Sequence, residues 1–453
     1  MLANSVQRRA RSRLIFACCF LTLPIALSAA QHSFEEVASG LRAPDPATRL
    51  RAVQILKDAG FPEAAGPLSA AVNDPDDRVK LAAIDAERSL FMTRPIARKK
   101  MIGFVVEVRT NDVGEQAFAA GRLALLPRAL PAEVLAALAE AMHASNPRVR
   151  LDALYVFGAL APLGAPAGAR GGASADEATA PRAAAATEDA IRSGIAWTIE
   201  ALRRGNRAEQ IAAAEVAGRA LKDCGASPPA SPELCADMGN ALIEAVNTRD
   251  DQVHRAALVS LGQLRYPSAA QALADQLSYY QHGAVAQAAL EGLAGIGHPT
   301  SVDIFKRFLA DSDPAFRRLA VEGLARAGVS EDLPDLQRAA QNEKSNPVLL
   351  AFHYAALKLG APGTNPDALV ASLRNSALRP FALQYLLDLS PSIAPALADH
   401  LKDPDPETRM LVADVLGFSR DQGAVPRLET AARDPDRETA QAAARAIDRI
   451  KLR

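Results

Sequence analysis

Residues 403–417 read DPDPETRMLVADVLG, and closely similar stretches recur along the 453-residue chain. They include DPATRLRAVQIL at 45–56, DSDPAFRRLAVEGLA at 311–325 and DPDRETAQAAARAI at 434–447. Twelve copies align on one polar position, called position zero: Asp45, Asp76, Asp112, Asn146, Asn206, Asp250, His282, Asp313, Asn346, Asn375, Asp405 and Asp436. From Asp250 onward the copies are 32, 31, 33, 29, 30 and 31 residues apart. This near-constant spacing indicates an internal repeat.

Each copy predicts an amphipathic helix. Asp or Asn at position zero is a preferred N-cap, and a Pro often follows where its missing N–H costs nothing. Positions +3, +7 and +11 share one helical face, as Phe316, Ala320 and Leu324 do, and we expect that face to be buried. Ala occupies +7 in ten of the twelve copies, which indicates close helix packing. A second amphipathic segment, such as 301–310, completes each period, so the unit is helix, turn, helix.

These units resemble HEAT repeats, in the short form also found in phycobilisome-lyase-like proteins. The resemblance rests on Asp-x-x-x-Arg/Lys followed by Ala-x-x-x-Leu, and it is good at 45–87 and 250–450 but looser between 88 and 245. It implies an all-α fold, an α-solenoid (superhelix) of about twelve two-helix HEAT-like repeats after a signal peptide. It also implies that the second helix of each repeat lines the concave surface of a curved array.

The first 30 residues predict a secretory signal peptide. Four Arg precede the apolar run LIFACCFLTLPIAL at 14–27, and small residues lead to a cleavage site after Ala30. We expect an exported protein, secreted or periplasmic, without a membrane span after cleavage; an uncleaved anchor is the alternative. The formal net charge of −1 becomes about −5 when the four Arg are removed. The sequence contains no strongly basic block of the kind that would indicate nucleic-acid binding.

The predicted domain organisation follows the repeat spacing. Residues 31–160 form N-terminal HEAT-like repeats, 161–190 an Ala/Gly/Pro-rich loop and 191–453 C-terminal HEAT-like repeats, with a Cys/Pro loop insertion at 222–237. The 161–190 segment is interpreted as a loop that runs into a helix near Ala183 and is a tolerated insertion, with partner docking as the alternative. The basic run at 98–100 is interpreted as a solvated helix face, with an anion-binding patch as the alternative.

Cys224 and Cys235 are the cysteines that remain after signal removal, and both lie in the Cys/Pro segment. In an oxidising compartment we favour a disulfide between them. Two free thiols are the alternative, and two cysteines without a nearby His do not make a metal site.

No catalytic, metal or cofactor motif is found in the sequence. None of the seven His is followed by Glu, and no two are three or four residues apart. Phosphate-binding loops, HExxH, CxxCH and GxSxG are all missing. We therefore expect no enzyme activity and no cofactor. The basic residues at +4 are predicted to pair with acidic residues near position zero of the same or the next repeat: Arg49, Lys80, Arg150, Arg317, Arg379 and Arg409.

Position +9 is the candidate partner-binding position, because it is expected to point away from the buried face. We select Tyr155, Glu291, Glu322 and Asp414, although a merely solvated face is the alternative. Changing the three acids together to Lys is predicted to weaken partner binding and leave the melting temperature almost unchanged. The predicted function is an exported, non-catalytic scaffold that binds a protein or peptide partner along the concave face. The alternative, taken from the resemblance, is a bilin-lyase-like enzyme or chaperone that holds a small ligand in the groove.

Overall fold

The computed structural model describes residues 33–93, 113–164, 180–221, 224–226 and 231–452. The predicted signal peptide and the basic run at 98–100 lie outside these residues, as do parts of the two predicted loops. Within the described ranges the chain is helical, and the one β-type backbone pairing is an isolated bridge between Met92 and Leu125. The all-α prediction is confirmed.

The described ranges contain 22 α-helices. The first eleven are α1 (Phe34–Gly40), α2 (Pro46–Ala59), α3 (Ala65–Val72), α4 (Asp77–Phe91), α5 (Val113–Ala120), α6 (Ala132–Ala141), α7 (Pro147–Gly164), α8 (Ala180–Arg204), α9 (Arg207–Ala220), α10 (Pro232–Ala245) and α11 (Asp251–Leu264). The others are α12 (Ala270–Tyr280), α13 (Gly283–Ile296), α14 (Val302–Phe308), α15 (Pro314–Ala327), α16 (Leu333–Ala340), α17 (Asn346–Lys358), α18 (Asp367–Ala371), α19 (Arg379–Leu397), α20 (Pro406–Leu416), α21 (Val425–Ala431) and α22 (Arg437–Lys451). Short 3₁₀ turns lie at Pro62–Ala64, Arg122–Ala124, Pro267–Ala269, Pro299–Ser301, Ser330–Asp332, Ser372–Arg374, Ala398–Lys402 and Gln422–Ala424.

The helices form two layers. The inner layer is α2, α4, α7, α9, α11, α13, α15, α17, α19, α20 and α22, and each of these helices packs against the next. From α11 to α17 the inner helices pack against one another far more than the outer helices α12, α14 and α16 do. Helices that approach on one side and splay on the other curve the stack, so the inner layer lies on the concave side. The α-solenoid prediction is confirmed.

Most inner helices begin as the repeated stretch predicts, but α17 begins at Asn346 itself with Ser345 as N-cap, and α19 begins at Arg379, four residues after Asn375. Asp405 Oδ2 accepts the N–H of Thr408 at 2.9 Å, and Asp436 Oδ1 accepts the N–H of Thr439 at 2.8 Å. Ala320, at +7, is fully buried. These N-caps and small contact residues fix where each inner helix starts and how closely it packs.

Helix α5 is not a repeat helix, although Asp112 fits the aligned position zero. It buries Gly114, Ala117 and Phe118, whereas Ala119, at the expected +7 position, is exposed. Meanwhile α3 packs directly on α6 and α4 on α7, so the second and third helix pairs stack without α5. The structure therefore has eleven inner helices, and the third predicted copy is an insertion between two of them.

Helices occupy both ends of the predicted 161–190 loop, and the one at its C-terminal end starts close to the helix predicted near Ala183. Helix α7 continues to Gly164 and α8 begins at Ala180, so only 165–179 falls between them and outside the described residues. In the same way, α10 begins at Pro232, within the predicted 222–237 loop. Alanine-rich sequence favours helix wherever a neighbouring helix offers packing, which explains the start of α8.

Within the described ranges, no helix combines the length and apolar character that spanning a bilayer requires.

Candidate functional site

The +9 residues chosen from the sequence fall into two groups. Glu291 is exposed, as expected. Tyr155, Glu322 and Asp414 are buried, with 8%, 3% and 7% of their surface exposed. The expectation that all four point into an open groove is wrong for these three. Each of these three side chains bonds a residue of a later inner helix: Tyr155 bonds Glu215, Glu322 bonds Tyr385 and Asp414 bonds Arg445.

Glu322 is surrounded by a group of side chains that we call the inner polar cluster. Its members come from α11, α15, α17 and α19: Arg265, Arg318, Glu322, Arg326, Tyr354, Lys358, Tyr385 and Asp388. The Glu322 carboxylate pairs with Arg318 and, at 3.3 Å, with Arg326 of the same helix. It also accepts the hydroxyl hydrogen of Tyr385, which lies two inner helices away.

Asp388 is the second acidic centre of the inner polar cluster. One of its oxygens lies 3.2 Å from Arg265 and 3.5 Å from Lys358, and the other lies 3.6 Å from Arg326. It also accepts the Tyr354 hydroxyl, and the Tyr354 ring stacks on that of Tyr385 with centroids 4.5 Å apart. Because Arg265 ends α11 and Asp388 lies on α19, this group ties together helices that are four positions apart in the inner layer.

The cluster holds fixed charges. Burial raises the pKa of Asp388, but the charges of Arg326 and Lys358 outweigh that effect and lower it to about 2. Burial raises the pKa of Tyr354 and Tyr385 well above the ordinary tyrosine value. Near neutral pH the aspartate is therefore ionised and both phenols are neutral. Such an arrangement orients neighbouring groups and binds charge, and neither phenol is prepared to act as a nucleophile.

Asp414 has a similar local role near the C-terminus. Both of its carboxylate oxygens lie 3.1 Å from Nη2 of Arg445 on α22, the next inner helix. Burial raises its pKa, and the Arg445 charge opposes this effect. The predicted triple change of Glu291, Glu322 and Asp414 to Lys therefore places two of the three new cations in buried, already basic surroundings. From the structure we now expect this triple change to lower the melting temperature, because those cations would be buried without partners.

Tyr155 lies under the inserted helix α5. Its ring is 5.7 Å from that of Phe118, and its hydroxyl donates to Glu215 Oε2 of α9 at 3.0 Å. The Arg219 guanidinium lies 4.5 Å over the Phe118 ring and also donates to the Phe118 carbonyl at 3.1 Å. The inner faces of α7 and α9 thus hold a helix of the chain itself.

The residues that follow α5 connect the two ends of the solenoid. Arg449 of α22 donates to the Leu125 carbonyl, a contact between residues 324 positions apart. The Phe418 ring lies between two guanidinium groups, 5.0 Å from Arg122 and 4.2 Å from Arg449. Sequence reasoning missed this contact, because nothing in the repeat pattern links the second helix pair with the last.

The predicted basic ladder is confirmed. Arg49 pairs with Asp74, and Arg409 with Asp434 at 2.8 Å, in each case an acid of the next repeat. Their guanidinium groups also donate to backbone carbonyls just before their own helix, as from Arg409 to Asp403 at 2.8 Å. Three others of the six bond a glutamate of the next repeat in the same way, namely Arg150, Arg317 and Arg379. Lys80 instead pairs with an acid of its own helix. These arginines stabilise the stack through ion pairs within the chain.

The structure joins Cys224 and Cys235 in a disulfide, the pairing favoured by the sequence. Their Cα atoms are 5.6 Å apart and both residues are buried. Cys235 lies in the first turn of α10 rather than in a loop, so the disulfide fixes the start of that helix to the segment after α9.

Glu87 is a buried acid at +11, where the repeat normally has a large apolar residue. Its side chain is fully buried, and Ser69 donates to Oε1 at 2.9 Å. Burial raises its pKa to about 8. The signal for this site was present in the sequence as an exception to the apolar +11 pattern.

Two open pockets lie on the surface, away from the inner polar cluster. One, of about 460 Å³, is formed by α6 and α8 and contains Trp197 and His143. The other, of about 370 Å³, is formed around Tyr280 and His282 between α11 and α13. Among the described residues, no group of His, Cys, Asp and Glu is placed to hold a metal ion.

A profile of the family described as HEAT repeats matches residues 34–90, 275–356 and 366–451, about half of the chain. A search of the curated proteins finds no match to this chain. Solved structures that resemble it include an engineered protein (16% identity, TM-score 0.32, covering 92% of this chain and 98% of that one). They also include the complex of CpcE and CpcF of phycocyanin lyase from a Nostoc species (18%, 0.38, 56% and 93%) and importin beta (15%, 0.34, 92% and 50%). At these TM-scores the structural similarities carry no weight of their own. On the sequence match and its two-layer helical stack, this chain belongs to the HEAT-repeat proteins.

Proposed function

We propose that this chain is an exported, non-catalytic scaffold that binds a protein or peptide partner on its inner helices. The HEAT-repeat solenoid supports a protein-interaction role. The observation that carries the proposal is the seating of α5 on α7 and α9, because it demonstrates that the inner layer accommodates a further helix. Each repeat adds one or two side chains to such a surface, so affinity is spread over several repeats.

Of the four residues selected from the sequence, Glu291 is the one whose side chain is exposed to a partner. The surrounding inner helices partly desolvate its accessible carboxyl group and so raise its pKa, and the neighbouring Arg318 charge opposes that rise. In the proposal, Glu291 contacts a basic partner segment directly. Tyr155, Glu322 and Asp414 act beneath the surface, where they hold the inner helices that the partner contacts.

The scaffold role is favoured over a small-ligand enzyme or chaperone by the shape of the surface. The two pockets described above are open and shallow, whereas small-molecule sites enclose most of their ligand. A lyase-like activity would require a deeper cavity with converging polar groups. The disulfide is consistent with export to an oxidising compartment, where the chain would be secreted or periplasmic.

The test is capture of a partner by the tagged, full-length protein from an extract of the source organism, followed by identification and affinity measurement. We expect Glu291→Lys to weaken binding of the identified partner, most strongly at low salt. Gln384→Lys is the matched comparison, since it adds the same cation at another exposed +9 position without removing an acid and should weaken binding less. No specific capture, or equal affinities for both variants and the wild type, would overturn the proposal.

A further inference from the structure

Helix α5 fits its site through one very close backbone approach. The Gly114 N–H donates to Asp152 Oδ1 of α7 at 3.0 Å. A Cβ added at Gly114 would lie 2.9 Å from the Asp152 Cα and carbonyl oxygen, closer than real side chains come. Glycine is therefore required for this approach, and any larger residue at position 114 must lift the helix from α7.

One turn further on, an aromatic anchor completes the contact. Phe118 is 93% buried, since 7% of its surface is exposed, and its ring fills the space between Tyr155 and Arg219. Arg219 is itself exposed, and its guanidinium covers one face of the Phe118 ring. A glycine followed four positions later by an aromatic ring is thus the pattern through which α5 contacts this surface.

The array does not need α5 for its continuity. The helix pairs before and after the insertion stack directly, α3 on α6 and α4 on α7. The two ends of the insertion are joined by backbone hydrogen bonds next to α4. The Thr93 N–H donates to Ala124 O at 2.7 Å, and the Leu126 N–H donates to Phe91 O at 2.8 Å. Helix α5 has eight residues, too few to remain helical in water, so its order comes from the surface beneath it.

We infer that the inner faces of α7 and α9, around Asp152, Tyr155 and Arg219, form a helix-binding site that α5 occupies and that a partner helix takes over. This inference rests on the proposed scaffold function and specifies its partner. The partner segment is a helix that carries Gly and, four residues later, an aromatic residue. While α5 is seated it competes as an intramolecular ligand, so the site is open to the partner only in the fraction of molecules from which α5 has left.

The probe is a fluorescent peptide with the sequence of residues 113–122, VGEQAFAAGR, added to the full-length protein. The Gly114→Ala chain should bind it at least tenfold more tightly than the wild type, because its own α5 no longer competes. Gly66→Ala is the matched control, since a Cβ there meets only Glu133 Oε1 at 3.6 Å, and it should behave as the wild type. Arg219→Ala in the Gly114→Ala chain should abolish the gain.

Hydrogen exchange separates displacement from unfolding. In the Gly114→Ala chain the amides of α5 should lose protection while those of α7 and α9 keep it. Phe118→Ala provides a second, independent way to release α5. If α5 is released but the peptide does not bind, or if neither variant releases α5, the inference is overturned. Unfolding of both variants would demonstrate that α5 is part of the fold and would overturn it equally.

Peptide binding and partner capture distinguish failure of the helix-binding site from failure of the scaffold function. Capture of a partner by the wild type, combined with no peptide binding to either released variant, leaves the scaffold and removes the helix-binding site. Peptide binding without any captured partner keeps the binding site and removes the scaffold function.

Discussion

Replacing Glu322 with Gln removes one charge from the inner polar cluster and keeps its shape. The carboxylate is 97% buried, since 3% of the residue is exposed, and the side chains of Arg318 and Arg326 that it pairs with are 12% and 9% exposed. Water therefore has little access to the arginine charges that the substitution leaves behind. Removing one partner of a buried ion pair costs about 3–5 kcal/mol, because the other charge is left uncompensated.

We expect a cost near the lower end, about 3 kcal/mol. Arg326 retains Asp388 at 3.6 Å, and Arg318 retains the Phe381 ring, whose centroid lies 4.6 Å from its guanidinium carbon. Since contacts in a solenoid act mainly between neighbouring repeats, the loss should be concentrated in α15, α17 and α19.

Native-state hydrogen exchange measures this local loss. A cost of about 3 kcal/mol corresponds to amide exchange on the order of 100-fold faster in α15. Glu291→Gln is the control, because Glu291 occupies the same +9 register on the adjacent helix α13 but is exposed, and it should change stability by less than about 0.5 kcal/mol. If the Glu322→Gln and Glu291→Gln proteins exchange alike, the reasoning on the cluster is refuted.

Three further outcomes are expected. Thiol labelling of unreduced, denatured protein should detect no free thiol at Cys224 or Cys235, and two labelled cysteines would contradict the disulfide. Glu87 has a folded-state pKa of about 8, above its ordinary value of 4.5, so its contribution to stability is complete below about pH 4.5 and is lost as the pH rises through about 8. Urea unfolding across this range should show that decline in the wild type and a flatter profile in Glu87→Gln, which keeps an acceptor for Ser69; equal slopes would refute the assignment. Arg409→Ala should destabilise the last helix pair by about 2 kcal/mol, seen as faster exchange in α22, and unchanged exchange would mean that the ladder is dispensable there.

The repeating unit itself is readable from the sequence, because it depends on contacts that are close along the chain. Asp405 caps its helix through Thr408, three residues away, and Ala320 recurs at a fixed +7 position. The pairing of Arg409 with Asp434 spans 25 residues, less than one repeat, so it too could be predicted.

Helix α5 is an element for which the repeat pattern in the sequence led to the wrong prediction. The stretch after Asp112 has Ala119 and Leu123 at the expected +7 and +11 positions, so it matches the repeat as well as several true copies. Ala and Leu are common in any helix, however, and the face that a helix buries is decided by its neighbours. In the structure α5 lies on α7 through Gly114 and Phe118, a face that the alignment did not select.

The helix-turn-helix unit, most of its caps, its contact alanines and its arginine ladder can all be predicted from the amino-acid pattern. The exposure of the +9 residues and the contents of the inner surface depend on how distant helices pack. Glu322 meets Tyr385 over 63 residues, and Arg449 meets Leu125 over 324. The physical reason is that the curvature of a solenoid is the sum of small rotations between successive helix pairs, and no single repeat encodes that sum.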